Sequence, residues 1–215
     1  MGDTDDIAGI DGCKAGWIVA TARAVVVVPT LHLDRFTIAG IDMPIGLIDG
    51  PPRACDIAAR KYLERAGSSV FPAPPRAALG YSDYREALAA ARAATGRGIS
   101  NQTFNIMPKV AELDRLISES NRHSIIEVHP ECAFKTMNGD KNLLSKRTLE
   151  GRIARRRLLD DHFDIPTAAP LGAAIDDMLD AYAVLWSVRR FQRGEHRTFG
   201  DGQRDARGIE MRIIC

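Results

Sequence analysis

The sequence predicts an α/β protein. Three features point there. Short apolar runs at 7–12, 38–42 and 125–130 each end among acidic or polar residues. The stretch 44–124 carries mainly helical patterning. A long apolar stripe at helical spacing, Ile175, Met178, Leu179, Tyr182 and Trp186, marks a strong helix at 173–190. The 215 residues are taken as a single domain, 1–215, with 44–124 as a helical insertion.

The first run, IAGIDG, has the composition of a buried strand, since a strand covered on both faces is continuously apolar rather than alternating. Asp11 ends it, and a carboxylate there is costly to bury unless it is paired or on a metal. Gly12 lets the chain turn away. Turn residues Cys13 to Gly16 lead into a second strand at 17–20, as in a hairpin, and the valines of 24–28 suit a third. A short connection at 29–36 follows. The pentapeptide IAGID then recurs at 38–42, and Pro44 ends that fourth strand because proline cannot donate to a sheet ladder.

Pro51 and Pro52 precede a helical segment at 53–65. Residues 68–76 hold three prolines and form an extended loop. Ser82, with Arg85 and Glu86 behind it, opens an alanine-rich helix to about residue 95. A polar loop spans 96–103. Ile106, Val110, Leu113, Leu116 and Ile117 mark another amphipathic helix. The strand at 124–129 places Glu127 and His129 on one face, since side chains alternate. Residues 135–147 are basic and polar. The helix at 148–162 carries Arg152, Arg155, Arg156 and Arg157, either as a solvated face or as phosphate contacts. At the start of the last helix, Asp180 neighbours both Asp176 and Asp177, as positions three or four apart do. Acidic residues there suit the helix dipole, which accounts for Asp176 or Asp177 better than for Asp180. The tail at 209–214 alternates like an edge strand.

Composition narrows the function classes. Apolar residues make up 45% and charged residues 27%, as in an ordinary globular protein. A net charge of +1 argues against strong nonspecific nucleic-acid affinity but leaves room for a local basic groove. Cys13, Cys55, Cys132 and Cys215 make no CxxC pair, which disfavours zinc and suits a reducing cytoplasm. The acidic N-terminus lacks a signal-peptide core. The most apolar run, 24–28, is far short of the ~20 residues needed to span a membrane. Nothing in the sequence defines an oligomeric state.

If two parallel strand ends and one helix meet, Asp11, Asp42, Asp177 and Asp180 fall close together. Two like charges 4 Å apart repel by ~1 kcal/mol in water and ~4 kcal/mol at an effective dielectric of 20. Several such pairs call for protons or a cation. All-oxygen ligation favours Mg²⁺ or Mn²⁺, and two such ions ~3.5–4 Å apart form the usual clamp for phosphodiester hydrolysis.

Five segments resemble a known family: GIDGCKAGW at 9–17, IDMPIGL at 41–47, SSVFPAPPR at 68–76, EVHPE at 127–131 and DDMLDA at 176–181. They run in order over nearly the whole chain. They resemble the bacterial domain-of-unknown-function family 429, predicted to be ribonuclease H-like nucleases. The resemblance implies a mixed five-stranded sheet of order 3-2-1-4-5, flanked by helices, with the helical insertion between strands 4 and 5. The first and fourth strands would then be adjacent. The segment from Asp177 to Ala181 also looks like the last helix of Holliday-junction resolvases, where two aspartates three apart bind metal.

Carried over, Asp11, Asp42, Asp177 and Asp180 become metal ligands and, with Glu127, the catalytic set. Glu127 belongs to the family motif and has no clear counterpart in the wider fold. Lys14, Ser68, Ser69, Arg76, Lys109, His129 and Lys146 are the candidates for substrate contact. The chain departs from the wider fold in its short 29–36 connection and in having no glutamate before Glu64, so one possible ligand has no equivalent. The expected function is metal-dependent nuclease action on DNA or RNA in the cytoplasm. The alternatives are a nucleotide- or phosphometabolite-handling protein, and a binding protein without turnover.

Overall fold

The two IAGID segments are neighbours in space. In the computed structural model, which describes residues 6–48, 50 and 52–215, strand β1 (Ile7–Cys13) pairs in parallel with β4 (Ile38–Ile41). Ile7 stands beside Ile38, Ala8 beside Ala39, Gly9 beside Gly40 and Ile10 beside Ile41. The same residue therefore faces itself at every level. The ladder continues one step further, where Asp42 N–H donates to the Ile10 carbonyl at 2.9 Å. The acidic leader through Asp5, and Pro51, lie outside the described residues.

β1 is also paired antiparallel with β2 (Gly16–Ala20), as the hairpin signal predicts, and β2 with β3 (Val25–Val28). β5 (Ile125–Val128) joins β4 in parallel, with Glu127 opposite Ile41. Two further strands of two residues each, β6 (Thr198–Phe199) and β7 (Ile213–Ile214), extend the sheet to seven, in the order β3-β2-β1-β4-β5-β7-β6. The protein is thus mixed α/β with a mixed sheet. The tail differs from the single edge strand its alternation suggests. Only Ile213 and Ile214 pair as a strand, between β5 and β6, and Arg204 and Glu210 make an isolated bridge.

The chain divides into two units. The first comprises residues 1–43, 123–197 and 214–215, so it contains β1 to β5. Its helices are α4 (Pro130–Met137), α5 (Leu149–Asp160) and α6 (Ile175–Arg193). α6 lies on β1, β2, β4 and β5 and is buried from Met178 to Val188. The packing is close because of the glycines. A Cβ on Gly9 would overlap the Ala181 carbonyl oxygen and the Leu185 nitrogen, so helix backbone sits directly on strand backbone there. On Gly40 a Cβ would meet Val188 Cγ2 at 2.5 Å and Val184 Cγ1 at 2.8 Å.

α4 is the one helix that the sequence pattern hid. Pro130 reads as a strand terminator, yet it occupies the first turn of a helix, where a missing N–H costs nothing. α5 begins with Thr148, whose hydroxyl accepts from Gly151 N–H at 3.1 Å.

The second unit, 44–122 with 198–213, takes in the insertion together with a C-terminal segment. It holds α1 (Ala54–Leu63), α2 (Tyr84–Thr95) and α3 (Asn101–Leu116). The cap of α2 is Asp83 rather than Ser82, its carboxylate accepting from Arg85 and Glu86 N–H. α3 starts within the stretch expected as a loop, capped by Ser100. Ala78, Ala87, Ala91, Ile99 and Met107 form an apolar cluster, bordered by the edge-on rings of Tyr84 and Phe104. The 68–76 loop is extended in its middle and closed at both ends by 3-10 turns, Glu64–Ser69 and Arg76–Ala78. Among the described residues no helix is long and apolar enough to cross a membrane.

Candidate functional site

Strand parity sets the site. Gly9 and Asp11 share one face of β1, and Gly40 and Asp42 share the same face one strand over. That face is the one α6 covers, because α6 backbone meets Gly9. Each glycine lets the helix approach, and two residues later each aspartate reaches the level of Asp180 on α6. Carboxylate oxygens of Asp11, Asp42 and Asp180 all lie within 4.8 Å of one another. Asp11 and Asp180 are buried and Asp42 is half-buried.

Burial and mutual repulsion act on all three. Asp11 is pushed well above the usual carboxylate range, first by burial and then by the charges of Asp42, Asp180 and Asp177, against one opposing hydrogen bond from Gly12 N–H at 2.6 Å. Burial raises Asp42 to about 7, with Lys146 pulling it down and Glu131 pushing it up. Burial raises Asp180 to about 6, again against Lys146. The Lys146 ammonium reaches Asp180 Oδ2 at 2.6 Å. Its own affinity for the proton is raised by Asp180, Asp42 and Asp11, after burial has worked the other way.

Asp177 stands apart from the convergent three. One of its oxygens accepts from Ala174 N–H at 2.8 Å, capping its own helix, while its charge still bears on Asp11. Glu127 is buried and lies level with Ile41, so it faces away from Asp42. Val128 instead shares the α6 face, close to Gly40. The acidic residue that strand β5 leads to is Glu131, in the first turn of α4, whose charge is felt by Asp42 and Asp180. Glu131 is held by Arg155 of α5, which forks onto both its oxygens at 2.9 and 2.7 Å and lies over the Phe134 ring. Within the arginine-rich helix, then, Arg155 is neither solvated nor a phosphate contact. Arg156 pairs with Asp160, and Arg152 and Arg157 are exposed. Glu131 and Arg155 were not among the expected site residues. The signal available was proline followed directly by glutamate, the pattern of a helix start.

The expected substrate contacts divide between the units. Lys14, exposed in the β1–β2 turn, and half-buried His129 and Lys146 are in the unit of the acidic cluster. Ser68, Ser69, Arg76 and Lys109 are in the other. There Ser69 bonds the Ala66 carbonyl, and Arg76 grips Asp114 at 2.9 Å and Asp205 at 2.5 Å while donating to the Leu47 carbonyl. Asp205 also accepts from Leu47, Arg207 and Ile209 N–H, and Arg76 with these amides holds its carboxyl below the usual range against its burial.

The donor set fits a hard cation. It is all oxygen, anionic and partly desolvated. Three carboxylate oxygens within 4.8 Å of one another are near enough to converge on one ion. A buried acidic triad of this kind could hold a metal ion.

Fold and site together define a mixed α/β protein with a carboxylate cluster under its last long helix. The chain belongs to the family described as Protein of unknown function (DUF429), which matches residues 9–204. No curated protein and no solved structure matches it.

Proposed function

We propose that this protein is a metal-dependent phosphodiesterase of the ribonuclease H-like kind, acting on DNA or RNA. The observation that carries the reading is the convergence of Asp11 and Asp42, from adjacent parallel strands, with Asp180 from the helix above them. Such a cluster is costly unless a cation resides in it. Mg²⁺ or Mn²⁺ bound there would supply an activated water and neutralise charge developing on a phosphate. In this reading Asp11, Asp42 and Asp180 hold the ion. Asp177, one helical turn from Asp180, supports them from the start of α6. Lys14, exposed on the same unit, contributes a cation for the phosphate backbone.

The test is cleavage of labelled single-stranded, duplex, hybrid and branched DNA and RNA with Mn²⁺, Mg²⁺ or EDTA. The reading expects metal-dependent cleavage of at least one substrate, abolished by Asp11→Asn. Mn²⁺ binding at the cluster with no cleavage of any substrate would favour a binding protein without turnover. Thermal stabilisation by nucleotides alone would favour a nucleotide-handling protein.

A further inference from the structure

We propose that Lys146 fills the place of a second cation, so that the three convergent aspartates take one divalent ion. The inference rests on the metal-binding reading above and concerns how many ions the site accepts.

Lys146 is fixed by its surroundings. Arg155, itself buried, donates to the Leu144 carbonyl at 2.8 Å and to the Gly151 carbonyl at 2.9 Å. The Ser145 carbonyl accepts from both the amide and the hydroxyl of Thr148, each at 3.0 Å. Gly151 sits so close that a Cβ there would overlap the Ser145 carbonyl oxygen. The segment 144–148 is thus clamped on both sides of Lys146. From it the ammonium reaches Asp180 Oδ2 at 2.6 Å, with Asp42 and Asp11 near enough to act on its charge.

Charge then sets the stoichiometry. Asp11, Asp42 and Asp180 carry three formal negative charges when ionised, and Lys146 removes one. The charge of Glu131 still bears on Asp42 and Asp180, but in the net balance the Arg155 that pairs with it offsets it. Two charges remain, which one divalent ion neutralises. A second divalent ion would have to approach an ammonium already seated on Asp180, and repulsion between like charges grows as solvent leaves. Asp177, expected as a fourth ligand, caps its own helix start and stands outside this count of the convergent three. An ammonium is a compact point charge and suits this role.

The experiment is a Mn²⁺ titration of the metal-free full chain, followed by electron paramagnetic resonance and calorimetry. Wild type is expected to take one equivalent, with an uncoupled signal. Lys146→Met, which keeps most of the length and removes charge, is expected to take two, with spin coupling between them. Lys146→Arg is expected to return to one. The Lys146 side chain is 43% exposed, so these variants are expected to fold, and circular dichroism checks it. Two equivalents on wild type, or one on Lys146→Met, overturns the proposal while leaving the phosphodiesterase reading intact. No Mn²⁺ on any variant overturns both.

Discussion

Gly9 and Gly40 lie side by side in register, each two residues before an aspartate of the cluster. Their environments differ in a way that orders their tolerance to change. At Gly9 an added methyl runs into helix backbone, which cannot rotate aside. At Gly40 it meets the ends of two valine side chains. Overpacking a core costs ~1–3 kcal/mol, and more where backbone must move. Gly9→Ala is expected to lose at least ~3 kcal/mol, and Gly40→Ala ~1–2 kcal/mol. Urea unfolding of both variants checks the order, and equal losses would contradict the direct contact of α6 with β1.

Asp11→Asn removes one charge from the cluster and nearly keeps shape. Without metal the melting temperature is expected to stay level or rise. A cation that binds only the folded wild type stabilises it by ~2.7 kcal/mol at a hundred times its dissociation constant. That gain is expected to shrink sharply in the variant. Melts of both proteins in EDTA and in Mn²⁺ measure it. Lower stability of the variant in both conditions, with no metal effect on either protein, would mark Asp11 as an ordinary structural residue.

The raised carboxyls of Asp180 and Asp42 give the metal-free protein a pH dependence of definite sign. Their values rise from 3.8 unfolded to about 6 and about 7 folded. The folded state therefore holds protons that the unfolded state releases. This contribution is fully present below about pH 4 and is lost as pH rises through 6 to 7. Asp205, with its lowered carboxyl, works the opposite way, but only as pH falls through its own range below 3.8. In EDTA the urea midpoint is expected to fall between about pH 5 and about pH 8, with a flatter slope in Asp42→Asn. Mn²⁺ is expected to reverse the trend, since binding requires the protons to leave. A wild-type midpoint in EDTA that rises over this range would contradict the repulsion assigned to the cluster.

Arg155 is buried and forked onto Glu131, and it also holds the Leu144 carbonyl. Removing one partner of such a pair leaves a charge uncompensated and costs ~3–5 kcal/mol. Arg155→Met is expected to fall in that range. Glu131→Gln with Arg155→Met is expected to recover part of it, measurable as a double-mutant cycle. Additive losses would show that the two side chains are not coupled.

Arg76 was expected to aid substrate binding, yet it binds two carboxylates and a carbonyl within its own unit. Lysine cannot reproduce that fork. Arg76→Lys is expected to cost ~1–3 kcal/mol through the unpaired Asp205, whose side chain is fully buried. A variant of unchanged stability but weaker nucleic-acid binding would return Arg76 to a substrate role.

The legible part of the site was its repetition. Two copies of IAGID, and an aspartate that the helix dipole explains poorly, mark Asp11, Asp42 and Asp180 as unusual before any folding is known. The adjacency of their strands came from family resemblance, because propensity says nothing of strand order. Glu127 and Glu131 could not be ranked from the motif EVHPE. Which of them nears the cluster depends on register with β4 and on Pro130 opening a helix instead of ending a strand. Arg155 was hidden for a similar reason. Among four helix arginines, only tertiary packing selects the one that turns inward.

β1 and its cover are far apart in the order of synthesis. Some 160 residues separate the end of β1 at Cys13 from the start of α6 at Ile175. At ~5–20 residues per second, the nascent strand waits roughly ten to thirty seconds for the helix that buries it. β4 waits nearly as long, and the two carry the same apolar sequence in parallel register. The half-made chain thus presents two identical adhesive segments with their acidic ends unneutralised. A stalled or truncated product lacking α6 leaves both segments uncovered, the condition in which apolar strands aggregate.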